Sequence, residues 1–158
     1  MRNDGFTLIE VMVVVGIVAI LALMAIPAYQ DRFIRNQVSD ALPLAEIAKG
    51  PIATSWAIAR VFPADNASVG LPVPEKVVNN YVSALTVENG AIHLTFGNRA
   101  SNAIKGKILT LRPAIVVDAP VVPVAWVCGL ASAPGAMTAQ GENRTNIPAG
   151  YLPGLCRG

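Results

Sequence analysis

The chain has 158 residues, enough for one domain with a modest core, and 53% of them are hydrophobic against 14% charged. With a mean hydropathy of +0.50, this balance excludes an intrinsically disordered chain and points away from a freely soluble cytosolic enzyme, towards a membrane or assembly protein. A formal net charge of +2 without any run of Lys or Arg leaves no electrostatic footprint for nucleic acid.

The first element is an uncharged run from Val11 to Ala28. Its length suits a membrane span, since about 17 to 25 helical residues cross the roughly 30 Å hydrocarbon core. Glu10 stands at the start of this segment. An ionised carboxylate in hydrocarbon costs about 2.5 to 3.5 kcal/mol, so Glu10 calls for a partner. A secretory signal peptide would have a basic start and an apolar core of only about 7 to 15 residues; here the run is longer and Arg2 is the only basic residue before it. A plain single-pass anchor fits the length, but Arg32 and Arg35 after the span oppose Arg2 in the positive-inside sense. The third reading is a short hydrophilic leader ending at Gly5, then Phe6-Thr7-Leu8-Ile9-Glu10 and an apolar helix running to Pro27-Ala28-Tyr29-Gln30-Asp31.

These residues closely resemble the prepilin signature of type IV pilins, of the type IVa kind, and of related class III signal proteins. The resemblance implies that a prepilin peptidase of the inner membrane cuts after Gly5 and that the new N-terminal Phe6 is N-methylated. It also implies a partner for Glu10: in the assembled filament its carboxylate pairs with the N-terminal amine of a neighbouring subunit. Burial of both ions offsets much of the Coulomb gain, so the better-attested use of such a pair is setting register. The plainer alternative is that Glu10 snorkels to the membrane interface. Two positions depart from the family pattern: Asn3-Asp4 precede Gly5 where relatives usually carry a basic residue, and Ala19 stands where many have glycine, leaving Gly16 as the glycine of the run. The implied division is a leader at 1–5, a transmembrane and filament-core half-helix at 6–29, and a globular head at 30–158. Gly16 adds backbone freedom, and Pro27 frees the carbonyl of Leu23, so local unwinding between them is expected on assembly, as in related filaments.

Beyond the span the helical period continues. Ile34, Val38, Ala41, Ala45, Ala48, Ile52, Trp56 and Ala59 form one stripe, the pattern of a helix facing a core. Pro43 and Pro51 interrupt it without changing its phase, which predicts kinks in a single helix from about Phe6 to about Ala59, roughly 80 Å long. A Pro-, Gly- and Asn-bearing connection starts at Val61, with prolines at 63, 72 and 74. The period then changes to two. Strands are predicted at 81–87, 91–96, 107–112 and 124–128, with Asn89-Gly90 as a type I′ hairpin turn between the first two. Ile92, Leu94 and Phe96 share the core face, which places His93 and Thr95 on the solvent side. The expected fold is α+β, the pilin fold: one long kinked N-terminal helix packed on a roughly four-stranded antiparallel sheet.

Cys128 and Cys156 bracket a Gly- and Pro-rich C-terminal segment. Two thiols without a nearby histidine fall short of the about four ligands of a metal site, and an exported domain favours a disulfide. That position matches the cysteine-bounded C-terminal loop of type IV pilins. No cofactor, metal or catalytic set is expected: His93 is the single histidine, and there is no phosphate loop or metal-ligand spacing. Trp56 and Trp126 read as core, and Asn66-Ala67-Ser68 and Asn143-Arg144-Thr145 match the weak glycosylation sequon.

The resemblance thus implies a non-enzymatic structural subunit of a type IV pilus. Its partners would be identical subunits in a helical filament, the peptidase and assembly machinery, and the inner membrane before assembly. The extracellular pilus would then serve adhesion, twitching motility or DNA uptake. The alternatives are a pseudopilin of a type II secretion system, which usually lacks the C-terminal cysteine bridge, and a monomeric membrane-anchored protein.

Overall fold

The computed structural model describes residues 5–158, with the side chains of residues 25–28 outside that description. The expected leader, apart from Gly5, and the side chain of Pro27 therefore lie outside the described residues. The chain divides into two compact units, Met1–Phe33 and Ile34–Gly158.

The first unit contains most of helix α1 (Leu8–Ala41). From Leu8 to Met24 every side chain is exposed, although the helix includes an 18-residue window of mean hydropathy 2.9. A helix that apolar and uncovered is long enough to cross a membrane. Gly16 is helical here, with open space around the position of a Cβ.

In the second unit the last residues of α1 are followed by a 3-10 turn (Leu42–Ala45) and helix α2 (Glu46–Ala59). Pro43 falls in the 3-10 turn and Pro51 inside α2. The predicted long helix is present from Leu8 to Ala59 with a 3-10 turn within it, because Pro43 has no N–H for the Ser39 carbonyl and the chain tightens to a shorter hydrogen-bonding step. The stripe keeps its phase: Ile34, Val38, Ala41, Ala45, Ala48 and Ile52 are all buried. It ends earlier than the sequence suggests. Trp56 is half-buried and stacks on Phe62, with ring centroids 4.8 Å apart, and Ala59 is exposed. The helix stops at Arg60, which is left-handed with φ 58° and donates its N–H to the Trp56 carbonyl.

Four strands follow, β1 (Val82–Glu88), β2 (Ala91–Phe96), β3 (Ile108–Ile115) and β4 (Ala125–Cys128), antiparallel in that spatial order. A two-residue β5 (Thr138–Ala139) pairs with the end of β3. Asn89 and Gly90 have φ of 49° and 83°, both left-handed as a type I′ turn requires. A bulge between Val82 and Ala84 returns Val82 to the core face with Leu85 and Val87. Strand β3 outruns its predicted end and includes Pro113. That proline lies past the β2 ladder, which closes at the Ile92–Leu111 pair, and its carbonyl accepts the Gln140 N–H at 2.8 Å.

The buried stripe of α1 and α2 and the inner face of the sheet form one cluster, with Phe96, Leu94, Ile92, Leu109 and Leu111 among its largest members. Gln37 is buried at its edge, where Oε1 accepts the Ser101 N–H at 2.8 Å and ties the β2–β3 loop to the helix. Cys128 and Cys156 form a disulfide with Cα atoms 4.5 Å apart. It closes a segment whose regular structure is only β5 and two 3-10 turns.

The outer face of the sheet is also covered. Residues 140–146 form a strap across it: Asn143 Nδ2 donates to Gly129 O (2.8 Å), Arg144 N to Thr110 Oγ1 (3.1 Å), Thr110 N to Thr145 Oγ1 (3.0 Å) and Ile108 N to Asn146 Oδ1 (2.6 Å). Gly141, at φ +84°, passes so close to Ala91 that an added Cβ would stand 2.8 Å from that residue's Cβ. His93, expected to face solvent, is in consequence only 3% exposed. Period two identified its face correctly, but not that a segment nearly fifty residues later would lie over it.

Candidate functional site

Gly5 and Phe6 precede the helix in irregular backbone, and both are exposed, Phe6 by 83%. Nothing lies within 4 Å of where a Cβ on Gly5 would stand. Helix α1 starts just beyond, because Thr7 caps it. The Thr7 carbonyl accepts the N–H groups of Glu10 (3.1 Å) and Val11 (3.3 Å), and Thr7 Oγ1 accepts the Glu10 N–H at 3.3 Å. Glu10 Oε2 in turn accepts the Thr7 N–H at 3.4 Å and lies 3.5 Å from Thr7 Oγ1. This reciprocal arrangement is a capping box. Its sequence signal, Thr-x-x-Glu before an apolar run, lies within the longer Gly-Phe-Thr-Leu-Ile-Glu pattern.

The cap gives Glu10 a partner within its own chain, but a weak one. Caps contribute about 0.5 to 2 kcal/mol and a carboxylate at a helix N-terminus about 0.3 to 1 kcal/mol. The bonds here are at the long end of the hydrogen-bond range, and those to Thr7 use a single oxygen, Oε2. An ion in hydrocarbon costs as much or more, and among the described residues the second oxygen has no hydrogen-bond partner.

Several polar residues support the head. Asn66, the first residue of one sequon match, is buried; its Nδ2 donates to Pro72 O (3.1 Å) and Leu85 O (2.8 Å), and its Oδ1 accepts the Val87 N–H (2.6 Å). It therefore completes the free edge of β1. Asn143, of the other match, holds the strap to Gly129. Asp65 accepts two bonds from Ser68, which hold its carboxyl below the usual range. Arg35 donates to Gly150 O at 2.9 Å, and Arg157 to the same carbonyl at 3.2 Å. Among the described residues no group of three or more His, Cys, Asp or Glu is placed to hold a metal ion.

The chain's similarity to known proteins runs along nearly its full length. A family model described as pilin (bacterial filament) matches residues 35–157, and one described as the prokaryotic N-terminal methylation motif matches residues 1–26. The type IV major pilin protein PilE1 of Neisseria gonorrhoeae is 38% identical over 98% of this chain and 87% of its own length. A fimbrial protein of Neisseria meningitidis serogroup B is 35% identical over 98% of this chain and 94% of its own. The fimbrial protein EcpC of Eikenella corrodens is 36% identical, covering 98% and 91%.

Proposed function

This chain belongs to the pilin family of bacterial filament proteins and is a structural subunit of a pilus; on that premise we propose that Gly5, Phe6 and Glu10 carry its processing and assembly. The observation that supports the reading most is the helix from Leu8 to Met24, apolar and exposed throughout, whose one carboxylate has an oxygen left over from its cap. Lipid covers such a surface before assembly, and other copies of the same helix cover it afterwards. Contacts between identical subunits that do not close on themselves yield a filament.

Cleavage after Gly5 turns Phe6 into an N-terminal cation next to the capped turn. The amine of one subunit then meets the Glu10 carboxylate of an adjacent one, and two isolated charges become a pair that sets the register between stems. Gly16 and Pro27 supply the freedom for the stem to unwind locally as it packs. The leader is lost on the cytoplasmic side, the precursor waits in the inner membrane, and the filament emerges outside the cell, where adhesion, twitching motility or DNA uptake are the roles it would serve.

Mass spectrometry of the mature protein tests the processing step: the expected N-terminus is a methylated Phe6, and an intact Met1 on surface material would overturn it. Deleting the gene should remove surface fibres while leaving protein secretion intact. The reverse outcome would assign the subunit to a secretion system instead.

A further inference from the structure

His93 is the single histidine of the chain, and it is buried under the strap in a setting the filament role does not use. Its Nδ1 lies 2.9 Å from Thr110 Oγ1, while Nε2 is buried without a hydrogen-bond partner and stands 3.9 Å from Glu88 Oε2. Above it Arg144 binds Glu88 at 2.6 Å and Glu142 at 3.0 Å, and the backbone N–H of Arg144 donates to the same Thr110 hydroxyl. Arg112, on β3, shares the outer face one position pair further along.

We propose that His93, Thr110, Glu88 and Arg144 form a proton-sensitive latch that holds the strap 140–146 on the sheet at neutral pH and releases it in mild acid. A lone pair on Nε2 would face the Glu88 carboxylate, so the neutral ring carries its proton on Nε2 and accepts the Thr110 hydroxyl proton at Nδ1. Thr110 Oγ1 is then free to accept the Arg144 N–H, so the hydroxyl both donates and accepts. Protonation reverses one of these bonds. Nδ1 becomes a donor, so Thr110 Oγ1 must accept from both Nδ1 and Arg144 N. Its own hydroxyl proton loses its acceptor at a residue with no exposed surface.

Two charge effects act in the same direction. The imidazolium sits beneath the Arg144 guanidinium, with Arg112 as a second cation on that face, and it draws Glu88 away from the ion pair that fastens the strap. Glu142, on the strap, is the one carboxylate besides Glu88 that favours the charged ring. Desolvation and Arg144 outweigh both, and the imidazole is held below its ordinary range. When the strap lifts, the N–H groups of Ile108 and Thr110 lose Asn146 and Thr145 and become open strand edge. The disulfide keeps the freed segment tethered.

The test follows ring and amide signals of the full chain in detergent micelles by NMR between pH 7.5 and 4.5. Amide exchange is corrected for its intrinsic pH dependence. The ring should titrate below 6.5. Protection of the Ile108 and Thr110 amides should fall at least tenfold with the same midpoint, while the Leu94 amide stays unchanged. Glu88→Gln, which removes the ion pair to Arg144, should lower the protection already at pH 7.5, and His93→Asn, which can still accept from Thr110, should make protection flat. Constant protection through the ring titration, or an equal acid-induced loss in His93→Asn, would overturn the latch. If His93→Asn does not fold, the coincidence of the two midpoints in the unaltered chain, or its failure, decides the matter.

Discussion

Glu10 and Asn66 show how differently two polar residues acquire their roles. Glu10 is capped within its own turn, through one oxygen and long bonds, and the proposed pairing gives it a partner on an adjacent subunit. Glu10→Val should still insert and still be cut after Gly5, because the proposed cleavage depends on Gly5 and the span. Stripping one partner from a buried ion pair costs about 3 to 5 kcal/mol, and electron microscopy should then show few or no filaments. Normal filaments built of mutant subunits alone would remove the pairing role. Asn66 acts within the head, satisfying the outer edge of β1 at Leu85 and Val87. Asn66→Ala leaves a buried carbonyl and a buried N–H without partners. A loss of about 2 to 4 kcal/mol is expected, read as a lower urea midpoint at unchanged slope. The Asn-x-Ser pattern was visible in the sequence, but its use was not, because the groups it serves lie about twenty residues further on and reach it only through the fold.

The elements divide in the same way. The hairpin was legible because a type I′ turn needs two left-handed residues in succession, and Asn89-Gly90 is the pair that tolerates this most readily. The turn also packs: a Cβ at Gly90 would stand 2.7 Å from the Phe62 ring, itself stacked on Trp56. Gly90→Ala should therefore cost about 1 to 3 kcal/mol, through both the positive φ and the displaced ring. Thermal melts would measure it. The C-terminal segment depends on the Cys128–Cys156 bridge, since its own regular structure is slight. Replacing both cysteines with alanine should cost about 2 to 5 kcal/mol and open the residues after 128 to limited proteolysis while the β1–β2 hairpin stays resistant. The stripe's unbroken phase across Pro43 excluded an end to the helix, and the missing N–H of that proline accounts for the 3-10 turn.

At the scale of the whole molecule, pH links the head's stability to one ring. A histidine whose folded pKa lies below its unfolded value binds its proton more readily in the unfolded chain. Its contribution is thus complete above about pH 6.5, the unfolded value, and is lost as pH falls towards and through the lower folded one. The urea midpoint of the full chain should drop over that window and stay level above it. His93→Asn should flatten the profile there. A second decline belongs to lower pH, below the ordinary carboxylate range, where Asp65 loses the charge that its Ser68 bonds favour.

The sequence by itself determined whatever rests on neighbours in the chain. The exposed apolar span, the Gly-Phe-Thr-Leu-Ile-Glu processing pattern, the helical stripe from Ile34 to Ile52 and the Asn-Gly hairpin are each written in short spacings and local backbone preference. Tertiary structure alone decided what is brought together from a distance: Gln37 with Ser101, Asn66 with the edge of β1, and the strap that turns His93 from a surface residue into a buried one. The physical reason is that period and propensity specify which side of a strand or helix a residue occupies. What covers that side depends on where the rest of the chain returns.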